Sequence, residues 1–79
     1  MASKQWGVIS TKANANTPII FQVNFKINYI ILALHLGISP LLIAEEYTAH
    51  ALSSTRIIAQ NTQGVTNANW SIYWFTIGY

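Results

Sequence analysis

The run Val23-Asn24-Phe25-Lys26-Ile27-Asn28-Tyr29-Ile30-Ile31-Leu32-Ala33-Leu34-His35-Leu36 decides the fold class. Read with a period of two, Val23, Phe25, Ile27, Tyr29, Ile31, Ala33 and His35 fall on one face, while Asn24, Lys26 and Asn28 open the other. That alternation predicts a strand whose second face is wet at its start. From Ile30 the second face also turns apolar, through Ile30, Leu32, Leu34 and Leu36, so this half needs cover on both sides. The chain's own core can serve one side; the other calls for a neighbour.

The run Asn69 to Tyr79 repeats the pattern with larger side chains. Trp70, Ile72 and Trp74 share one face and Tyr73, Phe75, Ile77 and Tyr79 the other, an aromatic content that favours strand over helix. Shorter strands are expected at Gln5 to Ile9, Pro18 to Val23 and Ser54 to Gln60. Turn-rich loops are expected at Thr11 to Thr17 and Asn61 to Asn69. Between them, Ser39-Pro40 reads as an N-cap followed by proline at the first helical position, and LLIAEEYTAHAL holds strong helix formers. A short helix or turn is therefore expected within 40–52, with a strand in a wide loop as the alternative. The fold class expected is all-β, one small antiparallel domain spanning 1–79.

Composition argues that such a domain does not stand alone. A chain of 79 residues buries only about 60% of the surface its unfolded form exposes, so its core is marginal. With no Cys, neither disulfides nor thiolate metal sites can supplement it. Charged residues make up 8% of the chain and apolar ones 52%, against roughly 25% charged in an average soluble domain. Subunit partners are the remaining supplement, and a homotrimer is expected.

The charges, Lys4, Lys12, Lys26 and Arg56 against Glu45 and Glu46, sum to +2 and form no basic run. Neither a nucleic-acid backbone nor an anionic membrane is indicated as a partner. Ile27 to Ala44 approaches the roughly 20 residues of a membrane span. Asn28, His35, Gly37, Ser39 and Pro40 interrupt it, and no Lys or Arg cluster flanks it, so no membrane insertion is expected. MASKQWG has no apolar stretch of the kind a secretory signal needs.

Catalysis finds little to work with. Glu45 and Glu46 are the only carboxylate side chains, and as sequence neighbours they point apart on a helix or a strand. No Asp orients a His beside any serine, and there is no Cys nucleophile. Glu46 and His50 stand four residues apart and would share a helix face, a two-ligand half-site that His35 could join; a solvated helix pair explains them as well, and no metal or cofactor is expected. Tyr29, Tyr47, Tyr73 and the Trp residues offer faces for sugar rings, although aromatics at strand spacing mostly serve cores and interfaces.

Three stretches taken together carry a resemblance. Gln5-Trp6-Gly7, the strand opened by Thr17-Pro18-Ile19-Ile20-Phe21, and Tyr73-Trp74-Phe75-Thr76-Ile77-Gly78-Tyr79 resemble the C-terminal receptor-binding domain of phage tail-fibre proteins, also found on contractile injection systems and phage-tail-like bacteriocins. The middle departs from that pattern: Phe21-Gln22 stands where the family has Phe-Pro, and Ile38-Ser39-Pro40 replaces loop glycines. The resemblance implies a small antiparallel β-sandwich-like knob, a homotrimer at the distal tip of a fibre, with the rest of the fibre on its N-terminal side. It would recognise a bacterial surface polysaccharide or an outer-membrane protein for adsorption. A purely structural trimerisation cap and a free-standing oligomeric lectin are the competing readings.

If strands are consumed by core and interface, loops carry the receptor contacts. Asn14, Asn16, Asn61, Gln63, Asn67 and Asn69 supply amide donors and acceptors suited to sugar hydroxyls, and Tyr47 and His50 a stacking face and a hydrogen bond. For any single Asn, a turn-forming role is the plainer explanation.

Overall fold

The computed structural model describes residues 2–12, 15–35, 41–61 and 69–79. Among these, six strands and one turn of 3-10 helix follow in the order β1 (Ser3–Lys12), β2 (Asn16–Ile20), β3 (Tyr29–His35), β4 (Leu41–Glu45), the turn Tyr47–Ala49, β5 (Ser54–Asn61) and β6 (Asn69–Gly78). They form two antiparallel three-stranded sheets, sheet A in the order β1-β6-β3 and sheet B in the order β2-β5-β4. The all-β expectation is met.

Alternation fills one core from both sheets. Ile19, Ile57 and Ala59 of sheet B meet Tyr29, Trp70 and Ile72 of sheet A, with Ile9, Ile31, Ala33, Ile43 and Trp74 packed around them. Phe21 and Phe25, from the connection between β2 and β3, plug one end. Phe21 meets Phe25 and Tyr29 edge to face with centroids at 5.2 and 4.9 Å, and Phe25 stacks on Tyr29 at 4.7 Å. Such aromatic pairs add about 0.5–1.5 kcal/mol each beyond the area they bury.

Two expectations need correction. The strand predicted from Val23 begins only at Tyr29, because distant groups capture the backbone before it. Gln5 bonds the backbone of Gln22 and Val23, Phe25 N–H donates to Leu52 O, and Lys26 and Ile27 N–H both donate to Tyr79 O. Val23 and Ile27 are left exposed, and only Phe25 of that half reaches the core. Of the short helix or turn expected within 40–52 only the single 3-10 turn Tyr47–Ala49 is present, and the strand weighed as its alternative forms β4. Leu41–Glu45 alternates Leu42 and Ala44 outward with Ile43 and Glu45 inward, and β5 supplies hydrogen-bond partners along the whole strand. Pairing and burial outweigh the few tenths of a kcal/mol per residue of helix propensity.

Two glycines are demanded by close packing. At Gly7 a Cβ would stand 3.0 Å from the Trp74 indole nitrogen, so the bare backbone lets the ring lie flat against β1. At Gly78 a Cβ would come within 2.3 Å of Asn28 O and 2.5 Å of Tyr29 Cβ, with backbone on the other side and no room to yield. Gly78→Ala is therefore expected to separate β6 from β3 and lower the unfolding free energy by about 1–3 kcal/mol. An unchanged urea midpoint would show that this contact is dispensable.

Candidate functional site

The outer face of sheet A follows from the strand registers. Ile30, Ile77 and Lys4 stand side by side in one row, Leu32, Phe75 and Trp6 in the next, and Leu34, Tyr73 and Val8 in the third. Eight of these nine positions are apolar, and the exception, Lys4, lies in the outermost column. Trp6 and Leu34 are each 70% exposed and Leu32 61%. These side chains form one contiguous exposed apolar face, the kind of surface that marks an interaction site. A groove of about 350 Å³ lined by Ile30, Ile77, Tyr79 and Asn28 among others extends it toward Gly78. The outer face of sheet B is mixed instead, with Asn16, Pro18, Arg56 and Gln60 among Ile20, Ile58 and Leu42.

The expected receptor residues do not converge. Strands β1, β3 and β5 run toward one end of the molecule and β2, β4 and β6 away from it, which places Lys12, Asn16, His35, Asn61 and Asn69 together there. Tyr47 and His50 sit in the β4–β5 connection at the opposite end. The ten residues of β1 separate the two ends by about 30 Å. Asn16, Asn61 and Asn69 are strand residues rather than loop residues, because β1, β2, β5 and β6 extend further than turn composition suggested. Asn14, Gln63 and Asn67 lie outside the described residues.

No family model, curated protein or solved structure matches the chain. Its chemistry is therefore read from its own side chains. Tyr47 is 82% exposed on the 3-10 turn, free to meet a partner. His50 is not free. Its Nδ1 lies 2.7 Å from Glu45 Oε2 and its Nε2 3.0 Å from Asn28 Oδ1, and the ring stacks on Tyr29 at 4.1 Å. The Asn28 amide is oriented by Tyr29 N–H, which donates to Oδ1 at 2.9 Å, while the Thr55 hydroxyl donates to Glu45 Oε2. Both ring nitrogens are thus engaged, and His50 latches the β4–β5 connection to Asn28 and Tyr29.

The carboxylate partner of His50 is Glu45 rather than the Glu46 suggested by helical spacing. Glu46 instead caps the 3-10 turn, accepting from Thr48 N–H at 3.3 Å. His35 pairs with Ile72 near the far end of β3, about 20 Å along the strand from Tyr29, so it shares no site with His50. Among the described residues, no group of three or more His, Cys, Asp or Glu is placed to hold a metal ion, and no helix is long and apolar enough to cross a membrane.

Burial raises the Tyr29 phenol above its ordinary value of 10.0, with the Glu45 charge adding to the effect and bonds to Thr55 and Ala51 opposing it. The folded chain thus disfavours the phenolate. The stability this contributes is fully present below about pH 10 and is lost as pH rises through the higher folded value. Tyr29→Phe should flatten the stability profile above pH 10 while leaving its shape at neutral pH unchanged. Identical alkaline profiles for the two proteins, followed by chemical denaturation, would refute the assignment.

Proposed function

We propose that this chain is a non-enzymatic, homo-oligomeric knob at the tip of a fibre, recognising a receptor on a bacterial cell surface. The observation that carries the reading is the apolar outer face of sheet A. A sheet face of this size, apolar across three strands, needs a partner, and a second copy of the chain is the partner whose chemistry matches it. In this reading copies meet over the β3 and β6 columns, and the β1 column, which carries Lys4, lies at the margin of the contact. A trimer built this way is a β-sandwich-like knob with its three A sheets turned inward.

The outer face of sheet B and both ends are left for display. Asn16 and Asn69 at one end and Tyr47 at the other offer exposed amides and an exposed ring, residue types that suit polysaccharide or protein receptors without strong charge. The resemblance of Gln5-Trp6-Gly7 and of Tyr73 to Tyr79 to tail-fibre tips supplies the setting. A trimer also multiplies weak contacts, since linked sites can exceed a single affinity by about 10²–10⁴. A bare trimerisation cap would use the same apolar face, so cell binding separates the two readings.

Light scattering should give a mass near three times the 8.8 kDa chain. Leu32→Glu or Leu34→Glu should yield monomer with the strand circular dichroism retained, at a cost to cooperativity. The labelled trimer should adsorb to host cells. A wild-type monomer at micromolar concentration would remove the oligomer reading, and a trimer that adsorbs to no bacterial surface would leave only the cap.

A further inference from the structure

The flank between β1 and β2 holds a cleft of about 180 Å³ lined by Lys4, Gln5, Trp6, Ile20, Gln22 and Trp74. Its two walls come from different sheets, and the Gln5 amide staples them together. Nε2 donates to Val23 O at 2.7 Å, and Oε1 accepts from the backbone N–H of Gln22 at 3.0 Å and of Val23 at 3.4 Å. The half-buried Trp74 indole, held flat against Gly7, closes the inner side. The walls are thus positioned before any ligand arrives, which lowers the entropic cost of binding.

Four exposed residues line this frame: Ile20 adds an apolar side chain, and Trp6, Gln22 and Lys4 bring an indole, an amide and an ammonium. Their chemistry is complementary to one class of molecule. A pyranose ring has an apolar face that lies on an indole and hydroxyls that an amide can both donate to and accept from. An ammonium only donates, and it pairs best with an anion. We infer that this cleft binds a cell-surface saccharide bearing a carboxylate, with Trp6 as stacking face, Gln22 as hydroxyl partner and Lys4 as carboxylate partner. The inference rests on the surface-recognition reading above and names a ligand class for it. Lys4 and Trp6 stand on the β1 edge of sheet A and Gln22 lies off that face, so the site requires that copies of the chain meet over β6 and β3 and leave the β1 edge open.

The test is titration of the intact oligomer with trigalacturonic acid and with its methyl ester, which keeps the skeleton and removes the charge. The indole N–H resonances of Trp6 and Trp74 should shift and saturate, while that of buried Trp70 stays still. The ester, Lys4→Gln and Gln22→Ala should each weaken binding by about tenfold, the loss of one good polar contact, and Trp6→Ala should abolish it. Light scattering on each variant confirms that the oligomer is kept. Absence of a saturable shift at Trp6 and Trp74, equal affinity for acid and ester, or indifference to both Lys4→Gln and Gln22→Ala would overturn the inference. Cell adsorption separates it from its premise. Wild-type adsorption unaffected by the Lys4 and Gln22 variants removes the cleft but keeps surface recognition, whereas failure of wild-type adsorption removes surface recognition itself.

Discussion

Strand β6 is apolar on both faces, and the rest of the structure is arranged around that constraint. Its inner residues Trp70, Ile72, Trp74 and Thr76 point into the core, and Ile72 and Thr76 are fully buried. Its outer residues Tyr73, Phe75 and Ile77 lie between β1 and β3, which flank β6 along nearly its whole length. Burying each large inner side chain contributes on the order of 1.5–3 kcal/mol, so that this one strand rivals the total stability of a small domain. The outer residues are shielded by their neighbours from the sides but not from above. A fold that depends on β6 for its core therefore also presents an apolar sheet to the outside.

The residues that serve β6 come from distant parts of the chain. Gly7 accommodates the Trp74 indole, Gly78 lets Tyr29 approach, and Gln5 ties β1 to the bend that carries Phe21 and Phe25 into the core. Tyr79 N–H donates to Asn28 O, and Tyr79 O accepts from Lys26 and Ile27. Gln5, Gly7, Trp74, Gly78 and Tyr79 thus each have a local physical task around β6. His50 does comparable work from the other sheet, joining Glu45 and Thr55 to Asn28 and Tyr29.

Alternation in the sequence was a sound guide wherever a strand has two strand neighbours or a core beneath it. Tyr29, Ile31, Ala33 and His35 do turn inward and Ile30, Leu32 and Leu34 outward, and the two faces of β6 divide as their spacing implies. Local pattern fails where remote contacts decide. Val23 to Asn28 continues the alternation, yet Gln5 and Tyr79 hold its backbone in bends. Leu41 to Glu45 has helix formers, yet β5 takes it as an edge strand. The Glu46–His50 pairing presumed a helix, and on an extended chain Glu45 is the carboxylate that faces the core and meets His50. Asparagines at 16, 61 and 69 have the composition of turns, but they are the terminal residues of strands, where boundaries are least legible. The cleft beside Trp6 unites residues 4–6, 20–22 and 74 across two sheets, and no spacing along the chain announces it.

In the proposed oligomer, copies of the same chain cover the outer face of sheet A and leave that of sheet B open. Within one subunit the two faces are comparably open, with Leu34 at 70% on sheet A and Leu42 at 60% and Ile20 at 77% on sheet B. Any difference between them in solution therefore reports a partner. Methyl relaxation by a soluble paramagnetic probe on the intact protein measures that difference directly. The account predicts that the Ile30, Leu32 and Leu34 methyls are shielded while those of Ile20 and Leu42 relax strongly; equal relaxation of the two sets would contradict it.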